Sequence, residues 1–75
     1  MDDLRTLRTK KMIKNSFVEL LNTKGFDVLT VSDISNKATI NRSTFYRYFD
    51  DKYDLLMKIL QESMEEIMRN VGPIE

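Results

Sequence analysis

Cysteine and histidine are both missing from the 75 residues. Without cysteine no disulfide reinforces the fold and no thiolate holds zinc. Without histidine the commonest general base and metal ligand is gone, and hydrolysis by a Ser-His or Cys-His pair is excluded. There is no Gly-rich phosphate loop. No apolar run approaches the ~20 residues that span a bilayer. The opening Met1-Asp2-Asp3-Leu4-Arg5 lacks the apolar stretch of a signal peptide. The expectations are a cytoplasmic chain that is no enzyme and uses no metal or cofactor.

What remains reads as one small domain. A hydrophobic share of 41% beside 32% charged residues is that of a globular chain rather than a disordered one. So short a chain buries a modest fraction of its surface and has little stability to spare.

The net charge is zero, but the charges are sorted along the chain. Residues 1–49 carry nine Lys/Arg against five acids, a net of +4. Residues 50–75 carry three basic residues against seven acids, a net of −4. A basic front with an acidic back suits one face for a polyanion and another for a different contact.

Helical spacing dominates; only Phe26–Val31 is rich in strand formers, and it is short. The first helix is expected from about Thr6 to Lys24, with Ile13, Phe17, Leu20 and Leu21 on its inner face and Gly25 as its stop. Arg8, Lys10, Lys11 and Lys14 crowd its first half. Cations there oppose the helix dipole, so they are either a solvated face or a phosphate-facing end. Phe26–Leu29 is a connection. Thr30 and Asp33 have capping-box spacing for a second helix, about Val31 to Lys37, with Val31, Ile34 and Ala38 inward. Ala38-Thr39-Ile40 reads as a tight turn. Asn41 reads as a strong N-cap for a third helix, about Arg42 to Tyr48. Phe45 and Phe49 mark its buried side. Ser43, Tyr46 and Arg47 lie on an outward arc flanked by Arg42 and Thr44. Asp51 and Asp54 repeat the capping-box spacing for a fourth helix from Lys52 to about Asn70, which Gly72-Pro73 ends.

The expected core comprises Ile13, Phe17, Leu20, Leu21, Ile34, Ala38, Ile40, Phe45, Phe49, Leu55, Leu56 and Ile59. On the fourth helix Met64, Ile67 and Met68 outrun that core. They need a partner, either another chain or a further domain.

The run from Thr30-Val31-Ser32-Asp33-Ile34-Ser35 through Ala38-Thr39-Ile40-Asn41-Arg42-Ser43-Thr44-Phe45-Tyr46-Arg47-Tyr48-Phe49 to Asp50-Asp51-Lys52-Tyr53-Asp54-Leu55-Leu56 resembles the signature of TetR-family transcriptional regulators. The lead-in Phe17, Leu21, Lys24-Gly25-Phe26 does too, so the resemblance covers roughly residues 8–60. Within the family it is most similar to regulators of low-GC Gram-positive bacteria, including the dihydroxyacetone-operon type. Ser43 stands where many members have Gly or Ala, and Arg47 where residues vary widely; both positions bear on which sequence is bound.

The resemblance implies an all-α, homeodomain-like three-helix domain with a helix-turn-helix and a longer fourth helix. It implies binding of double-stranded DNA by a regulator, a repressor being expected, with the third helix in the major groove. Arg42, Ser43 and Arg47 are then the base readers, since guanidinium forks bridge guanine O6 and N7. Thr44, Tyr46 and Tyr48 offer hydroxyls to phosphates. Thr30 and Ser32 open the second helix, and Lys52 the fourth, where phosphates are also met. Arg8 and Lys10 add contacts from the leading arm. Three of these positions have plainer readings: Thr30 as a simple cap, Tyr48 as a core residue, and Lys52 as the partner of nearby carboxylates.

Such regulators carry a second helical domain that dimerises and binds a small molecule. It lies outside these residues, so an isolated domain or fragment is expected, the alternative being a stand-alone reduced protein. The whole protein should then be a homodimer, and the present chain a monomer without an inducer site. The alternative function is a helical protein-interaction module using the Met64–Met68 stripe.

Overall fold

The computed structural model describes residues 3–71, with side chains through Arg69. Its described residues form four helices and no strand: α1 (Leu4–Thr23), α2 (Val31–Ala38), α3 (Arg42–Tyr48) and α4 (Lys52–Val71). The expected all-α architecture is present, and each boundary has a local cause.

Helix α1 begins two residues earlier than expected, because the Asp3 carboxylate caps it, accepting from the Thr6 amide at 2.9 Å. Gly25 ends it at φ +87, with its amide reaching the carbonyls of Leu20 and Leu21. A Cβ on Gly25 would meet nothing within 4 Å, so the left-handed backbone and not crowding calls for glycine there. The strand-prone segment after it turns instead: the Leu29 amide donates to the Gly25 carbonyl at 3.3 Å.

Helix α2 opens on the expected capping box. Thr30 Oγ1 accepts from the Asp33 amide at 3.1 Å, and Asp33 Oδ2 accepts from the Thr30 amide at 3.0 Å. It closes one residue later than expected, at Ala38. Thr39 follows in the left-handed region, φ 60 and ψ 47, and the Ile40 amide bonds the Ser35 carbonyl at 2.9 Å. This is a Schellman closure built on a β-branched residue instead of glycine.

Two expected caps are corrected. Asn41 does precede α3 with an extended backbone, but its side chain makes no capping hydrogen bond. Its main-chain carbonyl serves the helix instead, accepting from Thr44 and Phe45 amides at 3.0 and 3.2 Å. At α4, Asp51 accepts from the Asp54 amide at 2.8 Å as expected. The Asp54 carboxylate, however, takes the Asp50 amide at 2.9 Å, one residue before the expected partner. Helix α4 runs one residue past the expected Asn70; the expected stop at Gly72-Pro73 lies outside the described residues.

The core gathers Ile13, Phe17 and Leu20 from α1, Ile34 and Ala38 from α2, Phe45 and Phe49 at α3, and Leu55 from α4. Leu21, Ile40, Leu56 and Ile59, expected inside, are half-buried and pack against it. Leu29, read only as part of a connection, is fully buried. The pairs Lys24–Asp33 at 3.2 Å and Lys37–Glu19 at 3.1 Å tie α1 to α2, and Lys14 pairs with Glu62 of α4. Exposed pairs of this kind add little stability, so burial holds the helices together.

Phe45→Ala and Phe49→Ala should each lower stability by ~3–5 kcal/mol, the range for a buried Phe; thermal melts that keep the parental midpoint would contradict the packing. Thr39→Gly should act oppositely. Removing the Cβ from a left-handed position gains ~1 kcal/mol after the looser unfolded chain is allowed for, a rise of ~4–8 °C in Tm. A fall in Tm would mean that the Thr39 side chain makes a stabilising contact of its own.

Candidate nucleic-acid interface

Helix α3 has too few residues to stand alone; it is oriented by what it buries. Phe45 is fully buried, with the Phe49 ring 5.6 Å away. Helical geometry then turns Arg42, Ser43, Tyr46 and Arg47 outward, and all four are exposed. The Tyr46 ring leans edge-on against Phe45 at 5.4 Å, which fixes the ring and leaves its hydroxyl end outside. Thr44 is half-buried. Among the described residues neither Arg42 nor Arg47 has an ion pair or hydrogen bond. Two permanently charged forks thus stand on a surface with no carboxylate to answer them.

Other predicted contacts fall on three neighbouring elements. Lys10 of α1 lies over the Tyr48 ring, 5.8 Å from its centroid, so the basic first half of α1 is drawn beside the end of α3. Tyr48 itself is half-buried against the core, which joins its plainer reading to its exposed edge. Arg8 is exposed on α1. At the opening of α2, Thr30 is the cap and Ser32 is half-buried. Asp33 places a negative charge there too; Lys24 at 3.2 Å offsets it. Lys52 departs from its plainer reading. Its ammonium meets no carboxylate among the described residues and instead donates to main-chain carbonyls of the α1–α2 connection.

Between α2 and α3 lies a shallow polar groove lined by Ser35, Asn36, Thr39, Ile40, Asn41 and Thr44. Ser35 Oγ is buried beside it and has no hydrogen-bond partner among the described residues. The sequence reading assigned Asn41 wholly to capping. With no cap bond to make, its amide belongs to this exposed polar surface. Residue type alone gave no signal of that, because Asn at this position ordinarily caps.

The helix openings carry two carboxylates held below the ordinary Asp range. For Asp33 the main cause is the hydrogen bond from the Thr30 amide, followed by Lys24. For Asp54 it is the bond from the Asp50 amide, aided by Lys58.

Residues 18–59 match the family model described as bacterial regulatory proteins, tetR family. Curated relatives agree. A Bacillus subtilis (strain 168) protein named an uncharacterized HTH-type transcriptional regulator, YxbF, is 36% identical over 67 residues, covering 88% of this chain and 18% of its own length. The HTH-type dhaKLM operon transcriptional activator DhaS of Lactococcus lactis subsp. lactis (strain IL1403) is 32% identical over 66 residues, 88% of this chain and 35% of its own. A second B. subtilis HTH-type regulator, YdeS, is 35% identical over 49 residues, 65% of this chain and 25% of its own. The chain therefore spans less than two fifths of the length of each. Family and relatives alike are regulators, and the chain is not an enzyme.

A carboxylate whose folded pKa is depressed contributes stability that is present above its unfolded pKa and lost as pH falls through the folded one. Stability should therefore be flat across neutral pH, where no histidine titrates, and decline as pH drops below the ordinary Asp value of 3.8. Asp33→Asn should remove part of that decline. Denaturant midpoints measured across pH test this; an Asp33→Asn profile parallel to the parent's throughout would contradict it.

Proposed function

Because the chain belongs to the tetR family of bacterial regulatory proteins, we propose that it is the sequence-reading part of a DNA-binding transcriptional regulator. Helix α3 enters the major groove with its exposed arc against base edges. One observation carries the reading: Arg42 and Arg47 stand exposed on α3 without a partner among the described residues, beside the exposed Ser43 and Tyr46.

Arg42, Ser43 and Arg47 read bases. Thr44, Tyr46 and Tyr48 from α3, Thr30 and Ser32 from α2, and Arg8 and Lys10 from α1 meet phosphates on either side, which fixes register without carrying sequence information. The regulator is a repressor in this reading, although one relative is by name an activator. The whole protein acts as a homodimer on two half-sites, so the 75-residue chain alone is a monomer that binds one half-site weakly. A second reading, a helical protein-interaction module, draws on the exposed Met57, Leu60, Met64, Ile67 and Met68 of α4.

Selection from a random duplex library separates the roles. Arg47→Ala should lose ~1–3 kcal/mol on the preferred site and relax preference at one base position. Tyr46→Phe should weaken binding to all duplexes about equally. A parental motif retained by Arg47→Ala but altered by Tyr46→Phe would exchange the two roles. Absence of any binding, with α4 capturing a helical partner instead, would favour the second reading. Placing the selected site across a reporter promoter reads the sign, with repression expected.

A further inference from the structure

We propose that α3 selects half-sites holding two G·C pairs with about one or two base pairs between them and the two guanines on opposite strands, one read by Arg42 and the other by Arg47; this deepens the DNA-binding reading above and rests on it. A guanidinium only donates hydrogen bonds. In the major groove guanine alone presents two adjacent acceptors, O6 and N7. Adenine sets a donor beside its acceptor, thymine sets a methyl there, and cytosine offers only a donor. A donor-only fork is therefore matched by guanine and by no other base. Helix α3 carries no Asp or Glu, so nothing on it neutralises the forks or accepts from cytosine in their place. Both arginines are exposed and without an ion pair among the described residues.

Their placement on the helix sets the spacing. Five residues of α-helix rise about 7.5 Å, close to two base-pair steps of ~3.4 Å. The flexible (CH2)3 stems extend this to about three steps. The same five residues turn about 140° around the helix axis. The forks therefore leave α3 toward different walls of the groove, and those walls belong to different strands. Rotation of the helix is not free, because Phe45 is fully buried and the Tyr46 ring is held edge-on against it at 5.4 Å. Ser43 lies exposed on the same arc. Its hydroxyl both donates and accepts, so it discriminates weakly and leaves the intervening pairs loosely specified.

Selection by the 75-residue chain from a random duplex library tests the pattern. We expect a motif with two fixed G·C pairs at that separation, their guanines on opposite strands. Replacing either guanine by 7-deazaguanine removes only the N7 acceptor and should weaken binding about tenfold. With Arg42→Ala one of the two replacements should lose its effect, and with Arg47→Ala the other. Two guanines on one strand, or a separation outside this range, would overturn the geometry and leave the DNA-binding reading intact. A motif without guanine, or replacements without effect, would do the same. Suppose instead that both variants weaken binding to every duplex equally, each lowering the slope of log K against log salt by about 0.9. The forks are then phosphate contacts and the proposal falls. If the unmutated chain binds no duplex, the functional reading falls and the proposal with it. The 7-deazaguanine replacements use the unmutated chain, so they decide the matter even where an arginine variant fails to fold.

Discussion

A helix of seven residues forms too few internal hydrogen bonds to offset the cost of its own nucleation in water, so α3 depends on the burial of Phe45. That one side chain holds the helix to the core and sets its rotation about its axis. Phe49, where the helix ends, adds a second anchor. With both rings inside, the intervening residues have no freedom over which way they point. The outward display of Arg42, Ser43, Tyr46 and Arg47 is therefore a consequence of apolar packing and not of any attraction between the arc and the rest of the protein.

The charges divide on the same principle. Lys24 and Lys37 are matched by Asp33 and Glu19 between α1 and α2, and Lys14 by Glu62 of α4. Lys58 sits on Asp54 within α4. These four pairs take up a third of the chain's twelve cations and leave those of α3 unmatched among the described residues. A chain with no net charge can in this way present a positive surface, because seven of its twelve acids fall in residues 50–75 and none lies on α3. Long-range attraction to a polyanion is modest in such a molecule; what the arc offers is directional donors at close range.

Most of the fold was legible because hydrophobic spacing and short-range caps are local properties. The faces of α1 and α3, the Thr30–Asp33 box and the Gly25 stop all follow from residues within one or two turns of each other. What escaped was settled at longer range. Leu29 sits in an irregular segment with no period to reveal that it is buried. Capping-box spacing assigns the Asp51 amide to the Asp54 carboxylate, whereas the backbone path through Asp50 and Asp51 presents the Asp50 amide instead. Thr39 adopts a left-handed conformation that its residue type disfavours, imposed by the closure of α2 and the short path into α3. Lys52 finds its acceptors 23 to 26 residues away, beyond any spacing rule. The arc of the candidate site was readable from α3 alone, whereas the elements that hold it in place were not.

Helix α4 belongs to the domain along only half its length. Leu55, Leu56 and Ile59 meet the core, and every described side chain from Leu60 to Arg69 is exposed. The Lys14–Glu62 pair links that outer half to α1. Met57, Leu60, Met64, Ile67 and Met68 nevertheless keep the spacing of a face built for burial. Twenty residues of helix extend for ~30 Å, more than a core this small can cover, and an apolar face of that size in water is the ordinary mark of an interface. Since Lys52 stands at the opposite end of the same helix and donates to carbonyls of the α1–α2 connection, one helix joins the exposed apolar face to that connection.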